Sequence, residues 1–404
     1  MRPRSSASAP VILHVIDGLG PGGAESLLVT NLKRFDRSRH EHLVCTVFEG
    51  ESLVYPAQHF WRPAIDSLGI PVVELRCTSK AGVPLAIARL LRLIRAHRVS
   101  LMHTHLMYAN FVGRVAGKMA GVPVLSSMHN LSYEPQIVAG YDNPGSVKHR
   151  VARSIESLAA RHLGDGLIAV SRSVAESAER QLHVPSSRIR VVYNPVDLSV
   201  FDRPSVSTRS ELVRELGLPA SARLLVNVGR VVPQKAHVDA ISAMPRVLER
   251  HPDAHLVIVG AMSHPGTVAR LRDAIAAGGL GGRVHLVGAR RDVPDWLRAS
   301  DVFVFPSLYE GLPVALAEAT ALGCACVVSD IAPSLEVVEH RKTGLVFKQG
   351  DPRALADAVC ELLEDDALRA RLSSEASRVS RERFDPSRSA SELMDAYDSL
   401  LGKS

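Results

Sequence analysis

The sequence has few cysteines and no long apolar run, and both absences limit the class of protein. The five cysteines are scattered and form no CxxC pair, so we expect them to pack as thiols in a reducing compartment. No apolar run reaches the roughly 18 residues needed to cross a bilayer. The opening MRPRSSASAP lacks the apolar centre of a signal peptide. These absences predict a cytoplasmic protein.

The chain also lacks a strong charge of either sign. It has 48 Lys and Arg residues against 42 Asp and Glu residues, a formal net charge of +6. This mild excess suits phosphate-bearing ligands or an anionic membrane face, and it does not indicate nucleic acid. A length of 404 residues with 46% hydrophobic content predicts a globular chain of at least two domains.

Residues 301–330 have the pattern of a strand, a loop, a helix and a second strand. Val302–Phe305 is a short apolar run typical of a buried parallel strand. Glu310 then lies in the loop at the carboxyl end of that strand, and Glu318 lies in the second turn of the helix. Ligands bind at this edge of an open α/β sheet, and a helix N-terminus there favours anions. Small residues around both carboxylates would let a ligand approach closely.

A glycine-rich turn follows the first apolar strand. Gly18, Gly20 and Gly23 have the spacing G-x-G-x-x-G, and Glu49 follows the next strand, where a ribose-binding acid would fall. A dinucleotide site is therefore one interpretation. Glu25 opposes it, because it would place a carboxylate beside the pyrophosphate.

Strands alternate with helices through both halves of the chain, and the pattern breaks near residues 201–210, where Pro, Ser, Thr and Asp are frequent. The predicted fold class is α/β, with two Rossmann-like parallel-sheet domains facing a deep interdomain cleft. The predicted domains are residues 1–200, residues 201–385, and a C-terminal helix, residues 386–404, that packs back toward the N-terminal domain.

Polar residues end two strands of the first half. His103, Thr104 and His105 close one strand, and His129 with Asn130 closes another. Carboxyl ends of parallel strands meet at one edge of the sheet, so we expect these side chains to face the same crevice as the glycine turn. A histidine at a strand end is also a common polar terminator.

Arginines recur every third residue in the predicted helix of residues 84–98, PLAIARLLRLIRAHR. Arg89, Arg92, Arg95 and Arg98 lie beside a Leu/Ile face. This pattern is typical of an amphipathic helix with a solvated basic stripe. The alternative is a surface that docks on anionic lipid headgroups.

The first strand of the second half is followed by a pair of cations. Arg230 follows Gly229, and Lys235 lies five residues later at the start of a helix. An Arg fork and a Lys charge beside a helix N-terminus suit a diphosphate, because they offset its charge and hold it bidentately.

With these motifs in place, the chain resembles the retaining glycosyltransferases of family 4, which have the GT-B architecture, over nearly its whole length. The motifs that carry the resemblance are GPGGAE (Gly20–Glu25), VSRSV (Val170–Val174), VYNPVDLSVF (Val192–Phe201), GRVVPQKAH (Gly229–His237), EGLPVALAE (Glu310–Glu318) and TGLVF (Thr343–Phe347). The E-x7-E spacing beside the Gly-Arg and Lys pair is specific as a set.

The resemblance implies a role for each matching residue. Arg230 and Lys235 would hold the leaving diphosphate of a nucleotide sugar, Glu318 would bind the ribose hydroxyls, and Glu310 would bind hydroxyls of the transferred sugar. The donor would also contact the segment after Glu310, namely Gly311, Leu312, Pro313 and Val314.

The resemblance also implies contacts outside the E-x7-E segment. Gly22 and Gly23 would lie near the phosphate and the acceptor, and His129 near the sugar as a further catalytic residue. Backbone from Arg290 to Val293 would meet the base. One departure concerns conformation, because Ala236 stands where the family usually has glycine, which predicts that this position needs no positive φ.

The expected enzyme transfers a hexose from a nucleotide sugar, most simply a UDP-sugar, to a glycan, a lipid-linked acceptor or a small molecule. No D-x-D triplet occurs in the sequence, so we expect no metal and no cofactor. Protein cations would stabilise the diphosphate charge. The alternatives are a nucleotide-sugar epimerase on the same fold and an NAD(P)-dependent dehydrogenase. The expected location is cytoplasmic, with peripheral association at the inner membrane face as one option.

Overall fold

The computed structural model describes residues 9–20, 22–48, 59–131, 133–134, 147–197 and 206–402. The chain divides into two compact units, one formed by Met1–Pro195 with Pro386–Ser404 and the other by Val196–Asp385. Residues 201–205, the first half of the predicted linker, lie outside the described residues, as does Glu49.

The first unit is built around one parallel sheet. Its strands are β1 Val11–Ile16, β2 Glu41–Phe48, β3 Val72–Cys77, β4 Val99–His105, β5 Val124–Met128, β6 Gly166–Ala169 and β7 Ile189–Val191. They pair in the order β3-β2-β1-β4-β5-β6-β7, all parallel. The order reverses between β1 and β4, so the carboxyl ends of these two strands border the crevice where such sheets bind ligands.

Helices cover both faces of this sheet. Numbered along the chain, they are α1 Gly23–Leu32, α2 Arg62–Asp66, α3 Val83–Ala96, α4 Met107–Ala120, α5 Val147–His162, α6 Arg172–Leu182 and the C-terminal α15 Pro386–Leu400. Alternate residues of β1 enter two different cores: Ile12 and Ile16 belong to one, and Leu13 and Val15 to the other. A strand buried on both faces has a largely apolar sequence, and in β1 the one polar residue is His14.

The second unit repeats the plan with six strands. They are β8 Arg223–Val228, β9 Ala254–Val259, β10 Val284–Gly288, β11 Val302–Phe305, β12 Cys326–Ser329 and β13 Leu345–Phe347. Their order is β10-β9-β8-β11-β12-β13, again parallel, with the reversal between β8 and β11. The glutamate loop therefore follows one strand of the switch point and the Arg/Lys loop follows the other.

Its helices are α7 Arg209–Glu215, α8 His237–Arg250, α9 Pro265–Ala277, α10 Val293–Ala299, α11 Val314–Ala321, α12 Ala332–Leu335, α13 Pro352–Glu364 and α14 Asp366–Arg383. Two parallel-sheet α/β domains were predicted, and the structure confirms them. In the part of the chain that the structure describes, no helix combines the length and the hydropathy needed to span a membrane.

Candidate functional site

The ends of β8 and β9 approach each other so closely that the contact requires a glycine. A Cβ added to Gly260 would lie 1.9 Å from the carbonyl oxygen of Gly229, where no side chain fits. The Gly229 amide donates to the Val259 carbonyl at 2.9 Å. This contact fixes the loop that starts with Arg230, which is exposed at the carboxyl edge of the second sheet.

Lys235 and Glu310 form a largely buried ion pair at the same edge. Lys235 Nζ lies 2.6 Å from Glu310 Oε1, and the two side chains are 15% and 8% exposed. The Gln234 side-chain amide donates to Glu310 Oε2 at 3.2 Å and to the Tyr309 carbonyl at 2.8 Å. The loops after β8 and β11 are thus joined by charge and by hydrogen bonds. The sequence analysis identified Lys235 and Glu310 as candidate site residues. It did not predict that they contact each other or that Gln234 donates to Glu310.

Glu318 lies in the second turn of α11, as the sequence predicted. Burial raises the pKa of its carboxyl to about 7. At the start of the same helix, Pro313 is the N-cap and provides no side-chain acceptor for the first amides. A helix start without a capping side chain beside a cation can accept an anionic ligand. Gly311 and Leu312 are buried in the preceding loop.

Arg290 is fully engaged by neighbouring side chains. Its guanidinium bonds Asp292 at 2.8 and 2.7 Å and Glu215 at 2.7 and 3.2 Å, and it lies 5.5 Å from the centre of the Trp296 ring. The Arg290 guanidinium in turn lowers the pKa of Asp292. The side chain therefore fixes the backbone of residues 290–293 ahead of α10, which begins at Val293.

The prediction that Ala236 needs no positive φ is wrong. Ala236 has φ 45° and ψ 38°, the left-handed region that costs an L-residue about 1 kcal/mol or more. The reason is local geometry: the 3₁₀ turn Pro233–Lys235 runs directly into α8, and one left-handed residue connects the two helical segments. This chain has alanine where the family usually has glycine, but the position still adopts a positive φ.

His237 is a site residue to which the sequence analysis assigned no role. It is 1% exposed, and burial together with the charge of Lys235 lowers the pKa of its imidazole to about 4. Neither ring nitrogen hydrogen bonds to a described residue. Its place at the end of the GRVVPQKAH motif was the only signal available.

In the first unit, the two predicted glycines have different surroundings. A Cβ on Gly22 would lie 2.1 Å from Glu25 Oε2, whereas one on Gly23 would meet nothing within 4 Å. Glu25 is 6% exposed, and burial raises the pKa of its carboxyl. The carboxyl of Glu25 thus covers Gly22, while Gly23 leaves open space at the N-terminus of α1.

A row of buried histidines crosses the same sheet. Ring nitrogens of His14, His103 and His105 lie within 4.8 Å of one another, close enough to suggest metal ligands. However, His103 already uses both nitrogens, Nδ1 with the Tyr397 hydroxyl at 2.7 Å and Nε2 with the Ser127 hydroxyl at 2.8 Å. Burial lowers the pKa of all three imidazoles, so the trio packs as neutral core.

His129, predicted near the transferred sugar, follows β5. Burial lowers its pKa to about 4, and neither ring nitrogen is bonded to a described residue. The residue lines a cavity of about 80 Å³ together with Asn110, Tyr133 and Glu156. A neutral imidazole with both nitrogens available can donate to one hydroxyl and accept from another.

The Glu156 carboxylate in this cavity is paired with a buried arginine. Arg114, 1% exposed, donates from Nη1 to Glu156 Oε1 at 2.6 Å and from Nε to the Ser126 hydroxyl at 3.0 Å. Glu156 therefore enters the cavity as half of a buried pair, and removing either partner would leave an uncompensated charge. No local pattern indicated this pair, because its members lie 42 residues apart.

Only part of the predicted basic stripe on α3 is exposed along the helix. Three-residue spacing turns a side chain by about 300°, so successive arginines lie about 60° apart and are neighbours on the helix surface. Arg89 donates to the carbonyls of Leu75 and Arg76, and Arg98 lies beyond the helix end. Arg92 and Arg95 are exposed.

The two units match two sequence families. Residues 21–200 match the family described as Glycosyltransferase Family 4, and residues 208–379 match Glycosyl transferases group 1. A UDP-Gal:alpha-D-GlcNAc-diphosphoundecaprenol alpha-1,3-galactosyltransferase of Escherichia coli is 30% identical over 282 residues, 69% of this chain and 70% of that protein. A D-inositol 3-phosphate glycosyltransferase of Xylanimonas cellulosilytica is 30% identical over 394 residues, 94% of this chain and 92% of its own.

Solved structures share the fold at lower identity. Anabaena HepE in complex with UDP-glucose superposes with a TM-score of 0.80 at 23% identity, covering 96% of this chain and 99% of the other. WaaG, a glycosyltransferase involved in lipopolysaccharide biosynthesis, superposes with a TM-score of 0.71 at 15% identity, covering 96% and 99%. Both likenesses extend through the two units, so they cover the whole architecture.

Proposed function

The chain belongs to glycosyltransferase family 4, the group 1 glycosyl transferases, and on this premise we propose that it transfers a hexose from a UDP-sugar to an acceptor hydroxyl with retention of anomeric configuration. The observation that carries the proposal is the Lys235–Glu310 pair, which lies at the switch point of the second sheet with Glu318 on the helix that follows. The matches do not favour the epimerase and dehydrogenase alternatives.

UDP is the proposed nucleotide because of what the relatives bind. HepE has been crystallised with UDP and with UDP-glucose, and the Escherichia coli relative is named for a UDP-Gal donor. In this chain Arg230 and Lys235 bind the diphosphate, Glu318 binds the ribose and Glu310 binds the sugar. The loop held by Arg290 presents its backbone to the base.

Charge stabilisation is the proposed source of catalysis. When the bond between sugar and phosphate breaks, negative charge grows on the diphosphate, and a preorganised cation stabilises it without having to move. Glu310 keeps Lys235 in place before the donor arrives, and the arriving diphosphate shares this cation. Arg230, exposed and beside the Gly229 contact, provides the bidentate fork.

Retention requires the acceptor to attack from the face that the diphosphate leaves. In the first unit, Gly23 at the open start of α1 and His129 in its cavity are the proposed contacts for phosphate, sugar and acceptor. His129 acts as a neutral hydrogen-bond partner of the sugar. NMR of the product anomer tests this step, and an inverted linkage would contradict it.

The protein cations are proposed to act without a metal ion, in line with the absence of a D-x-D triplet. Transfer activity should therefore be the same with and without EDTA. A loss of activity on chelation that Mg²⁺ or Mn²⁺ restores would overturn this part of the proposal.

The acceptor is proposed to be a glycan, a lipid-linked saccharide or a small molecule reached from the cytoplasm, including by peripheral association with an anionic membrane. The relatives differ here, since one is named for a diphosphoundecaprenol acceptor and another for inositol 3-phosphate. A panel of nucleotide sugars and acceptors, with product detection by mass spectrometry, tests the proposal. Donor epimerisation without transfer, or reduction of NAD(P), would instead support one of the alternatives.

A further inference from the structure

Helix α5 exposes an unusual number of large apolar side chains. Val147, Val151, Ile155 and Leu158 are 65%, 50%, 48% and 56% exposed. No other helix in the described ranges exposes more than two large hydrophobic side chains. At 100° per residue the four fall within an arc of about 80°, so they form one stripe, which we call the α5 stripe.

The side chains of the α5 stripe do not pack into the core of the first unit. The helix packs inward through small and polar residues on the other side: Ser157, Ala159 and Ala160 are buried, and the Ser157 hydroxyl donates to the Leu182 carbonyl at 2.7 Å. The usual amphipathic arrangement places the apolar side inward. Here a solvent-facing apolar stripe has to be explained by something that covers it.

The charges beside the stripe indicate an anionic partner. Arg150, Arg153 and Arg161 are exposed on the same helix. The one acidic residue of α5 is Glu156, which is paired with the buried Arg114. An aliphatic stripe bordered by cations, with its acid neutralised, has the composition of a helix that lies in the headgroup region of an anionic bilayer.

We infer that α5 is a membrane-docking surface whose occupant is an anionic lipid bilayer. The aliphatic side chains enter the boundary between headgroups and acyl chains, and Arg150 and Arg161, which border the stripe, contact lipid phosphates. Glu156, on the opposite side of the same helix, lines the cavity that contains His129, so docking places that cavity one helix diameter, about 10 Å, from the lipid surface. Resting on the proposed function, this placement implies a lipid-linked acceptor.

This surface replaces α3 as the membrane candidate. Arg89 of α3 is bonded to backbone carbonyls, and Leu85 is the one exposed large hydrophobic side chain of that helix. Charge without apolar area gives only weak association that salt screens. The two helices therefore provide a matched pair of basic surfaces, one with a stripe and one without.

The test is co-sedimentation of the full chain with vesicles of phosphatidylcholine alone or mixed with phosphatidylglycerol. We expect binding to the anionic vesicles only, weakened by salt. The double variant Ile155→Ser, Leu158→Ser should lower the partition coefficient by about tenfold or more, and Arg150→Gln, Arg161→Gln by a similar factor. The α3 control Arg92→Gln, Arg95→Gln should bind as the unmodified protein does. Circular dichroism confirms that each variant is folded.

Three outcomes would overturn the inference: no binding of the unmodified chain to anionic vesicles, equal binding by the α5 variants, or a dimer in solution that the stripe variants convert to monomer. The last would make the stripe a subunit interface. UDP binding, measured by calorimetry without lipid, separates this inference from the proposed function. Vesicle binding without UDP binding would preserve the docking surface and remove the donor assignment.

Discussion

Lys235 has two partners in the proposed reaction, and they compete for one charge. In the structure it is paired with Glu310 at 2.6 Å, and in the donor complex it would also meet the diphosphate. A largely buried pair is costly to break from one side, because the remaining charge has no compensation. The pair thus keeps the lysine oriented and limits how tightly an anion is held in the ground state.

The diphosphate cations should be needed for turnover. Arg230→Ala and Lys235→Ala should each cost about 2–4 kcal/mol in activation free energy, because each removes a cation aimed at developing charge. Steady-state kcat/KM with the best donor measures the loss. Arg270→Ala, an exposed arginine of α9, is the control and should leave kcat/KM unchanged. Near-normal turnover by either cation variant would refute its role.

The two glutamates should separate nucleotide binding from transfer. Glu318→Gln should weaken UDP binding, because it alters the ribose contact. Glu310→Gln should retain UDP binding, since removing a negative charge beside Lys235 does not disfavour a diphosphate, but it should lose transfer. Calorimetry with UDP and a transfer assay give the two readouts. Equal loss of UDP affinity in both variants would show that these roles are wrongly assigned.

The strained alanine predicts a stabilising substitution. Ala236→Gly should raise the free energy of unfolding by about 0.5–1 kcal/mol, because relief of the left-handed strain exceeds the extra entropy of glycine in the unfolded chain. Thermal or urea unfolding measures it. The control is Ala276→Gly inside α9, which has no such strain and should destabilise the protein. Destabilisation by Ala236→Gly would contradict the observed φ.

At the scale of elements, α15 is tied to the first sheet by polar contacts as well as by packing. Tyr397 is fully buried and its hydroxyl meets His103 Nδ1 on β4. Asp398 accepts from Arg39 and contacts His40, both from the turn before β2. The last helix of the chain therefore fixes the histidine-rich face of a sheet formed by the first half.

Removing the Tyr397 hydroxyl tests how much this attachment contributes. Tyr397→Phe should lower the free energy of unfolding by about 1–3 kcal/mol, because it leaves a buried imidazole nitrogen without its partner. Asp395→Asn on the same helix, which breaks an exposed pair with Arg39, should change it by less than about 1 kcal/mol. Urea unfolding compares them, and indistinguishable variants would contradict the assignment.

At the scale of the whole molecule, the buried histidines make stability depend on pH. Burial lowers the pKa of His129 to about 4 and of His42 to about 3, and it also lowers those of His14, His103 and His105. An unfolded histidine titrates near 6.5. Below that pH the unfolded chain binds more protons than the folded chain, so stability is complete above about pH 6.5 and falls as the pH drops toward 4.

Each of these histidines should change the free energy of unfolding by about 1.4 kcal/mol per pH unit in that window. Glu25 and Glu318, whose pKa values are raised, act in the opposite direction, but the histidines outnumber them. Urea unfolding between pH 7.5 and 5 measures the slope. His105→Leu should reduce the slope by about 1.4 kcal/mol per pH unit, the contribution of one proton. The exposed His97→Gln should leave the slope unchanged. A flat profile in the unmodified protein would contradict neutral burial.

The sequence by itself determined the architecture and the positions of the motifs that are proposed to bind the donor. Apolar runs of strand length alternating with helical segments leave few alternatives to parallel sheets, and both sheets formed as predicted. Glu310 and Glu318 were placed at a strand end and in a helix because local signals, a short strand followed by a helix start, decide those positions. These are properties of neighbouring residues, and a linear pattern records them.

Only the tertiary structure decided which side chains meet and which surface remains uncovered. The Lys235–Glu310 and Arg114–Glu156 pairs join residues 75 and 42 positions apart, and no local pattern encodes such distances. Ala236 shows the same limit, because its φ follows from how one turn must enter α8. The arginines of α3 and the apolar residues of α5 look alike as amphipathic patterns. Which face packs inward depends on neighbouring elements, and this alone exposes the α5 stripe.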